Sequence, residues 1–159
     1  MNDSLHTLPI GRAEAIRSGS DVAILAIGAM VLPAERAGDL LAAEGISASV
    51  INARFVKPLD EKLILDLATR CGAIVTVEEN VKAGGFGSAV LELLASRNVQ
   101  LPTRVLAVPD RVFEQATQGR LRELAGLTAV NIATAARQLV ERKQRTGSDV
   151  VLASRLSVG

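Results

Sequence analysis

The chain has no tryptophan and no tyrosine, and its only aromatic rings are Phe55, Phe86 and Phe113. Surfaces that bind single strands stack bases on exposed aromatic side chains, so that class of function is disfavoured. Cysteine is almost as scarce. Cys71 stands alone, which rules out an internal disulfide. Its place between a helical run and Gly72 suits a half-buried small residue better than a nucleophile, because reactive thiols need a cationic or helix-start setting. The single histidine, His6, lies in a polar lead, so no Ser-His-Asp set can form and no metal-ligand cluster surrounds it. A dominant charge is missing as well. The 18 Lys and Arg against 17 Asp and Glu leave a net charge of +1 with the signs interspersed, so nothing calls for nucleic acid or a membrane surface as partner. No apolar run approaches the roughly 18 residues of a membrane span, and the start lacks the basic-then-apolar layout of a secretory leader. The expected location is the cytoplasm.

What is present is a chain of 159 residues, 48% of them hydrophobic, enough for about one domain whose core needs neither disulfide nor metal. The stretch from Ile51 to Glu92 organises it. An apolar run, Ala48 to Asn52, ends in a polar corner holding Arg54 and Lys57, and Pro58 with Asp60 then opens a helix over Leu59 to Arg70. A second apolar run, Ala73 to Val77, ends in Glu78, Glu79 and Asn80, and Gly84, Gly85 and Gly87 lead into a helix over Ser88 to Ser96. Upstream, Ile10 to Arg17 reads as a short edge strand closed by Ser18-Gly19-Ser20. Val22 to Ile27 reads as a central strand buried on both faces, and a helix runs from Leu32 to Glu44 with Gly45 as terminator. Downstream come a strand over Thr103 to Val108, a short helix over Gln118 to Ala125 and a last helix from Thr128 to about Arg142. The alternation predicts an α/β fold: three α/β/α layers around a sheet of about five strands, mostly parallel, with one antiparallel edge strand. The expected organisation is a flexible lead over residues 1–8, one domain over 9–143 and a disordered tail over 144–159.

In open α/β sheets ligands bind beyond the carboxyl ends of the strands, which makes the two polar corners the candidate site. Arg54 offers a planar fork matched to phosphate or carboxylate oxygens, with Lys57 as a supporting point charge; a surface ion pair is the alternative. Glu78 and Glu79 read as an acid/base pair, or as capping or interface groups, and adjacent strand residues point to opposite faces. The G-G-F-G run lacks the lysine of a nucleotide-binding P-loop and the G-x-G-x-x-G frame, so it reads as a loop of close backbone approach.

Together the motifs L-P-I-G-R-A-E, D-V-A-I-L-A-I-G, A-R-F-V-K-P-L-D, V-T-V-E-E-N-V-K-A-G-G-F-G-S-A-V-L-E and V-P-D-R-V-F-E resemble the C-terminal domain of 1-deoxy-D-xylulose-5-phosphate synthases, over about Leu8 to Val140. That domain is shared with transketolases and the β-subunits of 2-oxoacid dehydrogenases. The resemblance implies a transketolase C-terminal-like fold. It further implies a part in condensing pyruvate with glyceraldehyde 3-phosphate, a step feeding isoprenoid and thiamine precursors. It makes Arg54 the holder of the aldehyde's phosphate, supported by Lys57, and Glu78, Glu79, Asn80, Gly84, Gly85 and Gly87 the loops of a homodimer contact. Thiamine diphosphate and magnesium belong to the full enzyme's upstream domains, so no cofactor is expected on this chain, which alone is expected to be inactive. The chain departs from the family where Gln115-Ala116 replaces His-Gly. The alternatives are a piece of a split transketolase or dehydrogenase E1 component, and a non-catalytic interaction module of the same fold.

Overall fold

The computed structural model describes the backbone of residues 7–156 and the side chains of 7–145, so most of the expected lead lies outside the described residues. Five strands, β1 (Glu14–Arg17), β2 (Val22–Ala26), β3 (Ala48–Asn52), β4 (Ile74–Val81) and β5 (Thr103–Val108), form one sheet in the order β1-β3-β2-β4-β5. β1 runs antiparallel to β3 at one edge, and every other pairing is parallel. β2 lies in the middle because all five of its residues are apolar and all five are buried. A central parallel strand is covered on both faces, so its sequence has no polar alternate positions.

Helices cover both faces. α1 (Val31–Ala43) and α5 (Ala129–Leu156) lie on one side, where Val22, Ile24, Val50, Val75 and Val77 meet Leu41, Ile132 and Leu139. α2 (Glu61–Cys71) and α3 (Phe86–Ser96) lie on the other, where Leu25, Ile51 and Ile74 meet Ile64, Leu67, Phe86 and Val90. The odd-even division of β2 between the two cores follows from the two-residue period of a strand. Each fully buried Val, Leu or Ile contributes about 1.5–3 kcal/mol of transfer free energy, so these two layers hold the sheet. Local chemistry sets the helix ends. Asp60 accepts from Leu63 N at 3.2 Å and opens α2, and Gly72 closes it at φ 64°. Thr117 and Gly126 do the same for α4 (Gln118–Ala125).

Most element boundaries shift by one or two residues from the sequence expectation, and several differences have a visible cause or consequence. β1 begins at Glu14 and not at Ile10, because residues 9–12 turn, with Arg12 N donating to Pro9 O at 3.2 Å. β4 continues through Glu78, Glu79 and Asn80 to Val81, which pairs with Val108 beyond a bulge, so the two glutamates lie within the strand. α3 starts at Phe86, two residues before Ser88, for a reason given below. α5 continues past Arg142 to Leu156, where the sequence predicts a stop and a tail. The segment contains no proline, and the lone Gly147 costs only about 1 kcal/mol against alanine.

Candidate functional site

Both polar corners lie at the carboxyl end of the sheet, but β2 runs between the strands that carry them. The structure therefore brings Arg54 together with Lys57 and keeps both apart from Glu78 and Glu79.

The first corner follows β3. Asn52 Oδ1 accepts from Arg54 N at 3.1 Å, and this side-chain turn holds Arg54 at φ 57°, a region that a residue with a Cβ rarely enters. Strained backbone of this kind persists only where the surroundings fix it, and it concentrates at functional sites. The guanidinium is 22% exposed and its Nη2 donates to Glu14 Oε2 at 2.6 Å. Lys57 is exposed and precedes a cis proline, Pro58. Beneath them Asp60 anchors the corner. Its carboxylate accepts from Ala13 N at 3.1 Å as well as from Leu63 N, and Arg12 Nη1 approaches it at 3.5 Å. Arg12 thus pairs with Asp60 at the start of α2, and Arg54 and Lys57 lie in the turn that joins β3 to it. Arg12 and Glu14 escape sequence reasoning, because only the antiparallel register, with Glu14 opposite Asn52, carries Glu14 to Arg54.

The second corner is built around a buried acid. Glu78 is 1% exposed, and its two carboxylate oxygens accept from Phe86 N at 2.7 Å and Gly87 N at 2.8 Å. These are free N–H groups of the first turn of α3, so Glu78 caps that helix from a neighbouring strand, which is why α3 begins at Phe86. The glycines follow from this contact. A Cβ on Gly85 would lie 2.3 Å from Glu78 Oε2, and one on Gly87 would lie 2.5 Å from Val105 Cγ1. Gly84 takes φ 76°, and its N donates to Ser88 Oγ at 3.0 Å. Asn80 Oδ1 accepts from Val81 N at 2.9 Å. Glu79 points to the opposite face and pairs with Arg122 Nε, a hydrogen bond that raises the Arg122 pKa above its ordinary value.

Residues 11–132 match the family described as transketolase, C-terminal domain. The chain belongs to that family. Among its relatives it is 62% identical over 127 residues to the 1-deoxy-D-xylulose-5-phosphate synthase of Thermomicrobium roseum, a match covering 80% of this chain and 20% of that protein. It is 53% identical over 148 residues to the synthase of Heliobacterium modesticaldum, covering 93% and 23%. A solved split-gene transketolase, an inactive β4 tetramer, shares the fold at a TM-score of 0.79 and 38% identity, covering 84% of this chain and 44% of that one. The chain thus spans about a fifth to a quarter of the length of these curated synthases. In this transketolase C-terminal domain no group of three or more His, Cys, Asp or Glu side chains could hold a metal ion among the described residues. Both carboxylate oxygens of Glu78 are engaged by the first turn of α3. No helix is long and apolar enough to cross a membrane among the described residues.

Proposed function

We propose that the chain is the C-terminal, substrate-side and dimer-forming domain of a 1-deoxy-D-xylulose-5-phosphate synthase, a cytoplasmic enzyme joining pyruvate to glyceraldehyde 3-phosphate. The high identity to such synthases across most of the chain is the observation that carries the reading. In it, thiamine diphosphate and magnesium are held by upstream domains, in the same or a separate chain, and two copies of the synthase pair. This domain contributes Arg54. A guanidinium fork at a strand's carboxyl end suits the aldehyde's phosphate, and Lys57 adds a point charge. Glu14 stands in for that phosphate in the present geometry and is easily displaced, since an exposed ion pair is worth about 0–1 kcal/mol. The likeness to a split-gene transketolase supports a second reading, in which the same domain belongs to a chain that completes a separate catalytic chain.

The test is kinetic. The chain alone, given both substrates, thiamine diphosphate and magnesium, forms no deoxyxylulose phosphate, and adding the upstream domains restores turnover. In the assembled enzyme Arg54→Ala raises KM for glyceraldehyde 3-phosphate about tenfold or more, the value of a charge-assisted hydrogen bond, and spares that for pyruvate, which carries no phosphate. Equal effects on both substrates, or turnover by the chain alone, would overturn the reading.

A further inference from the structure

Among the described residues only two that carry a Cβ take a positive φ, Arg54 at 57° and Asn98 at 55°. Asparagine tolerates that region because its short side chain can bond the local backbone, and Asn98 follows the end of α3. Arginine has no such means. A turn required only to lead the chain off β3 would be made without strain by glycine, which holds every other positive φ among the described residues. An arginine at position 54 therefore serves its side chain and not the turn.

Three hydrogen bonds define the conformation. Ala53 N donates to Ala26 O at 2.8 Å, which keeps Ala53, 7% exposed, against the sheet. Phe55 N donates back to Ala53 O at 2.6 Å and closes a three-residue turn with Arg54 at its apex, while Phe55 lines a small cavity with Leu25, Ile51 and Phe86. Such a turn with a positive central φ is the rarer, strained form. The third bond runs from Arg54 N to Asn52 Oδ1 at 3.1 Å. Asn52 is paired with Ala26 on β2 and with Glu14 on β1, so this acceptor starts from a backbone held on both sides. The turn sets the direction in which the Cα–Cβ bond of Arg54 leaves the chain, and an ordinary negative φ would send that bond elsewhere.

We propose that Asn52 is a positioning residue for recognition of the aldehyde's phosphate: without touching substrate it acts through Arg54, by holding the backbone conformation from which the guanidinium meets the anion. The proposal rests on the phosphate reading of Arg54 and adds the residue on which that arginine depends. Aspartate would supply the same acceptor for the turn, but its charge would stand two residues from the phosphate and repel it, so the neutral amide suits the position.

Steady-state kinetics of the assembled synthase test it, with Asn52→Ala, Asn52→Ser and Arg54→Ala alone and Asn52→Ala combined with Arg54→Ala. Asn52→Ala removes the acceptor and should raise KM for glyceraldehyde 3-phosphate about three- to tenfold, the worth of one neutral hydrogen bond, with KM for pyruvate and kcat unchanged. Asn52→Ser keeps a shorter acceptor, so it should raise KM less, and it carries the test if the alanine variant does not fold. In the Arg54→Ala background Asn52→Ala should add nothing, because residues that act through one another are not additive. An aldehyde KM raised by Arg54→Ala but not by either Asn52 variant overturns the positioning role while the phosphate reading stands. A further rise in the double variant overturns it too, since Asn52 would then meet the substrate by itself, and so do equal effects on both substrates, which mark a structural role. An Arg54→Ala enzyme with unchanged KM for the aldehyde overturns the phosphate reading and the positioning role together.

Discussion

Arg54 and Glu14 join the carboxyl end of β3 to the edge strand β1 through a single contact, Nη2 to Oε2 at 2.6 Å. The pair lies on the half of the sheet opposite β4 and β5, and its two members differ in freedom. Arg54 is fixed by its left-handed backbone and by Asn52, whereas Glu14 is an exposed residue on a four-residue strand. An arriving anion therefore meets an arginine whose backbone is already set and competes with the Glu14 carboxylate for its guanidinium.

The first prediction follows from that asymmetry. Glu14→Gln removes the competing charge and leaves the strand, so the chain should bind inorganic phosphate about two- to fivefold more tightly, the worth of an exposed pair. Arg54→Ala should abolish the binding. Chemical-shift titration with phosphate measures both, and equal affinities for the wild type and Glu14→Gln would show that Glu14 does not compete.

A second prediction concerns Glu78. Replacement by alanine leaves the N–H groups of Phe86 and Gly87 buried without acceptors, at about 1–3 kcal/mol for each orphaned group. Glutamine keeps one acceptor oxygen and presents an NH₂ to the other N–H, so it should fall between the wild type and alanine. Thermal unfolding ranks the three. An alanine variant as stable as the wild type would mean that the cap contributes nothing.

Much of this was legible beforehand. Val22 to Ile27 has no polar alternation and lies at the sheet's centre, and Asp60, Gly72, Thr117 and Gly126 mark helix ends by chemistry that acts over three or four residues. Contacts that close only in the folded chain were not. Two glutamates after an apolar run look like a solvated strand end, and nothing within Val77 to Asn80 reveals that helix N–H groups eight and nine residues on will meet Glu78. The partnership of Glu79 with Arg122 spans 43 residues, and that of Arg54 with Glu14 spans 40. The position of Arg54 just beyond the carboxyl end of β3 was legible, because an apolar run followed by a polar corner is a local signal. Its strained φ was not, because Asn52 imposes it through a side-chain turn.

Third, two glycines should respond to alanine with opposite signs. A Cβ at Gly87 would sit 2.5 Å from Val105 Cγ1 and 2.7 Å from Thr76 Oγ1, a buried hydroxyl without a partner, so Gly87→Ala overpacks a closed site and should cost about 1–3 kcal/mol. Gly119, in the first turn of α4, meets nothing within 4 Å, so Gly119→Ala should stabilise by about 0.4–1 kcal/mol through the unfolded chain. Chemical denaturation checks the pair, and a shared sign would show that local space does not decide either case.

The last prediction is a pH dependence. Arg137 on α5 donates from Nε and Nη2 to the two oxygens of Glu44, the residue that closes α1, both at 2.6 Å. The hydrogen bond from Arg137 lowers the Glu44 pKa from its ordinary value, outweighing the opposing effect of desolvation. A carboxylate whose folded pKa is depressed binds fewer protons in the native state than in the unfolded chain. Its stabilisation is therefore fully present above the ordinary glutamate pKa of about 4.3 and is lost as the pH falls through the lower native value. Glu44→Gln cannot titrate, so its stability relative to the wild type should be lowest near neutrality and should recover as the pH drops below about 4. Urea unfolding of both proteins at neutral and acidic pH supplies the comparison. A difference that stays constant with pH would show that the pair acts through packing alone and that the fork between α1 and α5 carries no net charge effect.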